Sequence, residues 1–302
     1  APPKYWVMVP LTGQMKPVGL VFRGGGGGGG GGGVVPPPAT EVRTEVGEAQ
    51  KDIAAFDGVV EVHVDAGTFA PGVALAIRKV AEEAKPVLEG LKALSAVFEF
   101  DAGGAQPQKP VTVAVRYDKA KLAGVDPRKL GLYRQSDRDP DRWDYVGGAV
   151  DPASGVVKAK LKGFSRYAVM AYDRTFADLR GHWSRDEVEV LASRHLVEGV
   201  NEREFQPDRR ITRAELAKLL VQMLAQDPDR GVTVAAPAQP TFADVAADAW
   251  YYAFVETAAR HGLVQGYGGR FRPDDPVTRE EMTAMVLRAM GLEAAARAAA
   301  NA

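Results

Sequence analysis

The chain has 302 residues, of which 46% are hydrophobic and 25% are charged, a composition typical of globular domains rather than of a disordered tail. Its 38 Lys and Arg residues against 39 Asp and Glu residues give a formal net charge of -1, which excludes a general basic field for nucleic acid or an anionic membrane. The lack of cysteine excludes disulfides, thiol catalysis and cysteine zinc sites. No apolar run approaches the roughly 18 to 20 residues of a membrane span.

The first 56 residues are predicted to contain two short strands and a linker. The strands correspond to "KYWVMVPL" and "VGLVF", which we interpret as the remnant of a larger domain. Ten glycines at 24–33 and the following "VVPPPATEV" join a flexible coil to a stiffer spacer. The glycines lack the Lys and Ser/Thr of a phosphate-binding loop. Because the chain opens "APPKYWVMVP", without Met or a signal-peptide pattern, it is predicted to be a mature protein or a fragment.

Residues 57–173 are predicted to form an antiparallel, immunoglobulin-like β-sandwich. Three stretches alternate apolar and polar residues with the period of a half-buried strand, namely "VVEVHVDAGTF", "VTVAVRYD" and "VVKAKLKGF". Turn-forming Gly, Pro and Asp residues separate them, as in "VDPASG". Short alternating strands with turns at such spacing are typical of this fold class. The segment "AEEAKPVLEGLKAL" is predicted to be a helical or irregular crossover.

From residue 174 the hydrophobic period becomes helical and the sequence repeats itself. The residue pairs 66 positions apart are Phe176/Phe242, Asp178/Asp244, Phe205/Phe271, Pro207/Pro273, Thr212/Thr278, Arg213/Arg279 and Glu215/Glu281. Such self-similarity predicts two all-α, helix-loop-helix units, one at 174–230 and one at 231–302 that ends in an Ala-rich tail. Neither unit has much core alone, so we expect them to stack.

The most similar stretches are "ITRAE" and "VTREE" at the starts of the second helices. Thr212 with Glu215, and Thr278 with Glu281, have the spacing of a capping box, in which the side chain of each residue bonds the backbone amide of the other. This pattern predicts helix starts at these positions but does not explain the arginine that follows each threonine.

Arg213 and Arg279 occupy the first helical position, where the helix dipole disfavours a cation by roughly 0.3 to 1 kcal/mol. A guanidinium beside free helix-start amides would make a site for an anionic oxygen, because the donors and the dipole both favour negative charge. A solvated surface arginine explains the spacing equally well. Both interpretations stay open on the residues alone.

Residues 175–291 resemble two S-layer homology modules, which fasten bacterial surface proteins to the cell wall. The F-x-D opening, the Trp, the glycine region, the F-x-P and the T-R-x-E follow in order in both copies. The preceding "KPVTVAVRYDKAKL" to "SRYAVM" is similar to the β-sandwich found upstream of such modules. The resemblance implies three modules in a pseudo-threefold bundle, of which this chain contains two. It also implies grooves that bind pyruvylated secondary cell-wall polysaccharide or peptidoglycan.

Carried onto this sequence, the resemblance implies that Arg213 and Arg279 contact an acidic sugar. Trp183 and Trp250 would offer an apolar sugar-packing face, although a core position suits these tryptophans as well. Glu280 stands beside Arg279 where the motif has Ala, so it would partly neutralise that arginine.

No metal or cofactor is expected. Asp137, Asp139, Asp141 and Asp144 suggest calcium, but Arg142 and Gly148 occupy the positions where an EF-hand needs Gly and Glu, so we predict a hairpin turn. The four histidines lack metal-ligand spacing. No convergent acid, base or nucleophile can be assembled from the motifs, so no catalysis is expected.

The sequence therefore predicts a non-enzymatic anchor of a bacterial surface or S-layer protein, located outside the cell at the wall. Its expected partners are wall polysaccharide or peptidoglycan and further copies of itself in a lattice or filament, with no nucleic acid and no membrane span. Two alternatives stay open. The chain could be the anchoring part of a secreted polysaccharide-degrading enzyme, or a self-assembling filament protein or adhesin.

Overall fold

The computed structural model describes residues 40–81 and 83–294, which form twelve strands followed by four α-helices. The predicted strands before residue 24, the glycine-rich linker and most of the Ala-rich tail lie outside these residues. The strands are β1 (Glu41–Glu45), β2 (Lys51–Ala55), β3 (Val60–Val64), β4 (Ala74–Lys79), β5 (Leu91–Ala93), β6 (Phe98–Asp101), β7 (Val111–Arg116), β8 (Leu130–Gln135), β9 (Trp143–Gly147), β10 (Ala149–Asp151), β11 (Val156–Leu161) and β12 (Arg166–Tyr172). The helices are α1 (Arg185–Ser193), α2 (Arg213–Ala225), α3 (Tyr252–Arg260) and α4 (Arg279–Met290).

The strands form two antiparallel sheets. The larger has the order β1-β4-β6-β12-β8-β9, with β5 also paired to β12, and the smaller has the order β10-β11-β7-β3-β2. The predicted change from an antiparallel β part to a helical part is confirmed, while the immunoglobulin-like assignment stays a prediction. The segment predicted as a crossover is irregular and ends in β5. The aspartate-rich stretch forms the turn of the β8–β9 hairpin.

The sandwich begins earlier than predicted. β1 pairs with β4 and β2 pairs with β3, so residues 41–55 belong to the sheets and not to an N-terminal linker segment. The boundary at residue 57 is therefore wrong. β1 carries a single strongly apolar residue, and β2 buries only Ile53 and Ala55. Such edge strands lack the strong apolar alternation that marks a strand in sequence.

The core of the sandwich lies between the two sheets. The smaller sheet contributes inward-facing valines of β3 and β7, and the larger sheet contributes Leu75, Ile77, Phe98 and Phe100, all in one buried cluster. Burying each such side chain contributes roughly 1.5 to 3 kcal/mol relative to leaving it exposed. This face-to-face packing makes the sandwich a folded unit with its own core.

The two helical repeats share their main core. Apolar residues of α2 pack in one cluster with residues of α3, α4 and the loops of the second repeat. By contrast, α1 belongs to a small cluster built around Phe176, Leu179 and Phe205. The second repeat therefore takes a helix of the first into its core, which confirms that the copies stack.

The sandwich contacts α1 through a buried ion cluster. Lys129 Nζ donates to Asp173 Oδ1 at 2.7 Å and to Glu189 Oε2 of α1 at 2.9 Å, and both Lys129 and Glu189 are buried. Burial alone would lower the pKa of Lys129, but the two carboxylates outweigh it and raise the pKa above its ordinary value. The charges are thus paired where they are shielded from water, as burial requires.

His195, just after α1, lies against three tyrosines of the larger sheet. Its ring stacks on Tyr172 with centroids 5.0 Å apart, and its Nε2 is 3.4 Å from the hydroxyl oxygen of Tyr133. The Tyr145 ring lies on a third side, with its centroid 5.6 Å from that of the His195 ring. Burial lowers the pKa of His195, so its neutral form is favoured in this contact.

Across the described ranges, no helix is both long and apolar enough to cross a membrane.

His63 on β3 is held between two carboxylates. Its Nδ1 is 2.6 Å from Asp52 Oδ1, and its Nε2 is 3.3 Å from Asp65 Oδ1. Two carboxylate acceptors require a proton on both ring nitrogens, which is the charged form of histidine. Burial alone would lower the pKa of His63, but these hydrogen bonds outweigh it and raise the pKa.

We therefore expect the bond between His63 and Asp52 to stabilise the fold in acid more than in base. The raised pKa means that this stability is present below about pH 6.5 and is lost as pH rises through the folded-state pKa of His63. Between about pH 6 and pH 9 the parent should lose about 2 to 4 °C more in Tm than Asp52→Asn, which corresponds to about 1 kcal/mol. Thermal unfolding of both proteins at the two pH values measures this difference. Because His195 titrates with the opposite sign in both proteins, the comparison isolates His63. Equal losses in the two proteins would contradict the prediction.

Candidate functional site

Each helical repeat is held together by one aspartate of its F-x-D opening. Asp178 accepts hydrogen bonds from the backbone amides of Phe205 and Gln206, and Asp244 accepts them from Phe271 and Arg272. Burial acts to raise the pKa of both carboxyls, but the backbone amides outweigh it and the pKa values are lowered. The two ionised carboxylates hold the loops before α2 and α4 in the same conformation.

The repeated glycines allow this loop to approach the opening phenylalanine. A Cβ on Gly199 would lie 2.5 Å from the Phe176 ring and 2.6 Å from the Glu204 carbonyl oxygen. On Gly266 it would lie 2.5 Å from the Phe242 ring and 2.6 Å from the Arg270 carbonyl oxygen. Real Cβ atoms do not reach such distances, so the recurrence of glycine has a packing cause.

The predicted capping boxes are both present. Thr212 Oγ1 accepts from the Glu215 amide at 3.2 Å, while Glu215 Oε2 accepts from the Thr212 amide at 2.8 Å. Thr278 and Glu281 repeat the arrangement at 3.2 and 3.0 Å. These hydrogen bonds start α2 and α4 at the predicted residues.

Arg213 is buried between the two repeats rather than exposed in a groove. Only 5% of its surface is exposed, and its guanidinium lies over the Phe271 ring at 4.8 Å from the centroid. Its Nε donates to the Phe271 carbonyl at 2.8 Å, its Nη2 to the Gln265 carbonyl at 3.0 Å, and its Nη1 to Glu281 Oε1 at 2.5 Å. The arginine of the first repeat therefore joins it to three residues of the second.

The helix-start amides of α2 are also used by the second repeat. The amide of Arg213 donates to the Asp275 carbonyl, and that of Ala214 donates to the Pro273 carbonyl, both at 3.0 Å. In return, the Val277 amide donates to the Ile211 carbonyl at 3.0 Å. The expectation that free amides beside Arg213 form an anion pocket is therefore wrong, because carbonyl oxygens of the chain itself occupy these donors.

The equivalent Arg279 has a different environment. It lies at the exposed start of α4, whereas Arg213 is covered by the second repeat. Glu280, which the sequence marks as a neighbouring negative charge, is exposed as well. The same motif position thus serves a buried contact in one copy and a surface in the other.

Both candidate tryptophans lie on the surface. Trp183 is 70% exposed and Trp250 is 57% exposed, so their bulk is not needed in the core. Lys218 of α2 places its Nζ 5.9 Å from the centroid of the Trp250 ring. Trp250 therefore borders the surface where the first repeat meets the second, next to a cation.

Lys218 was missed by reasoning from the sequence. The repeat pattern does not mark it, because the equivalent position in α4 is Ala284. Tyr267, 88% exposed in the loop before α4, was missed too. An exposed aromatic residue in a glycine-rich loop is a recognisable signal, but a lysine on a helix face is not.

Comparison with protein families identifies the repeats. The model of the S-layer homology domain matches residues 175–217 and 241–283, which contain the F-x-D openings and the T-R-x-E motifs described above. The helical repeats are two S-layer homology domains.

Several known proteins are similar to longer parts of the chain. An amylopullulanase of Thermoanaerobacterium thermosulfurigenes is 35% identical over 214 residues, which is 70% of this chain and 11% of that protein. An exoglucanase of Acetivibrio thermocellus is 37% identical over 148 residues, or 48% of this chain and 13% of that protein. The S-layer protein sap of Bacillus anthracis is 30% identical over 126 residues, or 41% of this chain and 15% of that protein.

The chain thus spans only a small fraction of the length of these relatives. The S-layer homology domains, together with the surface-layer relatives, indicate a protein of the bacterial cell surface or cell wall. Among residues 40–81 and 83–294, no group of three or more His, Cys, Asp or Glu side chains is arranged to hold a metal ion.

We expect Arg213→Ala to destabilise the paired S-layer homology domains by about 2 to 4 kcal/mol, because Glu281 Oε1 and two carbonyl oxygens lose the hydrogen bonds that Arg213 donates. Arg279→Ala is the matched control, since it removes the same side chain at an exposed position and should cost less than about 1 kcal/mol. Thermal unfolding of the full chain, followed by circular dichroism, measures both changes. Equal Tm values for the two variants would contradict the interlocking role of Arg213.

Proposed function

We propose that this chain anchors a bacterial surface protein to the cell wall through its two S-layer homology domains. The observation that carries the proposal is the match of both repeats to this domain, together with their packing as one unit around α2. Wall attachment by such a unit needs a binding surface and no reacting group.

The ligand that we propose is an acidic secondary wall polysaccharide, such as one bearing pyruvate carboxylates, or peptidoglycan. The exposed indoles of Trp183 and Trp250 suit packing against the apolar face of a sugar ring. Lys218 beside Trp250, and Arg279 at the start of α4, supply cations for a sugar carboxylate.

Arg213 has a separate part in this proposal. Its guanidinium donates to residues of the second domain, so we assign it to holding the binding surface in place rather than to touching the sugar. Arg279, Trp183 and Trp250 are the proposed contact residues. The neutralising effect of Glu280 should make the contribution of Arg279 modest.

The role that we propose is binding rather than catalysis. The alternative of an anchoring part of a polysaccharide-degrading enzyme is favoured by the amylopullulanase and exoglucanase relatives. In that case the same two domains would attach a catalytic segment that is not part of the present sequence. The two versions share the anchoring step and differ in what is anchored.

Sedimentation of the full chain with purified cell walls tests the anchoring step. We expect the parent to bind intact walls, and Trp250→Ala to bind about tenfold more weakly while keeping the parent Tm, because it removes a packing surface outside the core. Arg279→Ala should weaken binding by a smaller factor, and more at low salt than at high salt. Arg138→Ala, an exposed arginine of the β8–β9 turn, is the control for loss of charge.

Walls stripped of their acidic polysaccharide separate the two ligands. Loss of binding on stripping indicates the polysaccharide, and retention indicates peptidoglycan. A parent protein that fails to sediment with walls from a range of bacteria with S-layers would overturn the anchoring role. Parent-like binding by Trp250→Ala and Arg279→Ala would overturn the residue assignment alone.

A further inference from the structure

The sandwich carries an open cleft of about 420 Å³ that the anchoring role does not use. Three segments meet there, namely the end of β6 with the turn at 101–106, the β8–β9 turn at 135–140, and the entry to β12 at 164–166. The cleft lies on the β-sandwich, and none of its lining residues belongs to the S-layer homology domains.

The floor of the cleft is apolar and its rim is polar. Phe164 is half-buried at the floor, and its ring stacks on two buried core rings, Phe69 at 5.9 Å and Phe100 at 6.5 Å between centroids. The rim carries the side chains of Asp101, Gln106, Gln135, Ser136, Asp137 and Ser165. An apolar base with a few convergent hydrogen-bonding groups is the usual construction of a small-ligand site.

Each carboxylate at the cleft is paired with an arginine. Glu99 accepts from Arg78 at 2.8 Å and from Arg166 at 2.9 Å, and these hydrogen bonds lower the pKa of its carboxyl. Arg78 also reaches Asp101 at 3.4 Å. Arg78 pairs with Glu41 as well, at 3.1 Å, and Asp137 is paired with Arg134. Four carboxylates therefore share three guanidiniums, and each carboxylate has an arginine partner.

This pairing holds the carboxylates in place as hydrogen-bond acceptors. A carboxylate oxygen has two acceptor sites, so Asp101 and Asp137 can each take a further hydrogen bond from a ligand hydroxyl while keeping their present donors. The exposed Gln106 offers both a donor and an acceptor at the rim. A cation would have to compete with the arginines for the carboxylates, and an anion would be repelled because the carboxylates outnumber the guanidiniums.

We propose that this cleft binds a neutral oligosaccharide, with its hydroxyls on Asp101, Asp137 and Gln106 and the apolar face of one ring over Phe164. This ligand matches a cleft that combines arginine-paired carboxylates, convergent acceptors and an apolar base. The inference goes beyond wall anchoring and is independent of it, since the two sites share no residue.

Isothermal titration calorimetry of the full chain tests the site with four neutral probes. Cellohexaose, xylohexaose and maltohexaose represent glycans outside the wall, while the hexamer of N-acetylglucosamine represents the wall. We expect at least one probe to bind. Asp137→Asn and Gln106→Ala should each weaken that binding at least about fivefold through loss of a hydrogen bond. Both positions are exposed, so the Tm should stay unchanged.

Asp141→Asn is the matched control, because it makes the same charge change in the same turn but outside the cleft. It should bind like the parent, and so should Trp250→Ala in the second S-layer homology domain. Failure of all four probes to bind would overturn the proposal. Parent-like binding by both Asp137→Asn and Gln106→Ala, or tighter binding of an acidic oligogalacturonate that competes for the cleft, would overturn it too.

Discussion

The helical half of this protein depends on the burial of one guanidinium. Arg213 can leave water only because the second repeat provides carbonyl acceptors at Phe271 and Gln265 and a carboxylate at Glu281. A buried charge without such partners would cost several kcal/mol, so the position selects one arrangement of the repeats. The same arrangement places the start of α2 where its backbone amides donate to carbonyl oxygens of the second repeat.

The repeats also show how one buried acid is used twice. Glu189 in α1 and Glu256 in α3 occupy equivalent positions and are equally buried. Glu256 accepts from the amide and hydroxyl of Thr241 in its own repeat, whereas Glu189 accepts from Lys129 of the sandwich. The equivalent acid is thus satisfied within its own repeat in the second copy and by the sandwich in the first.

Local features of this chain were predictable from sequence and long-range ones were not. The capping boxes depend on residues three positions apart, so Thr212 and Glu215 are sufficient to predict them. The partners of Arg213 lie 52 to 68 positions further along the chain, where no local pattern points to them. β1 and β2 were not predicted for a related reason: these edge strands are held by hydrogen bonds to β4 and β3, and not by an apolar pattern of their own. The exposure of Trp183 and Trp250 could not be predicted from the sequence, since an aromatic residue near a helix suits the core and the surface equally.

The contact of Lys129 and His195 across the junction has a mechanical consequence. A flexible tether limits only how far a domain can move from its attachment point. A docked junction with a buried ion cluster also fixes the orientation of one domain relative to the other. If the S-layer homology domains lie against a wall polymer, the sandwich is held at one tilt rather than swinging freely. Its cleft would then face a constant direction across a population of molecules, as the elements of an ordered surface array require.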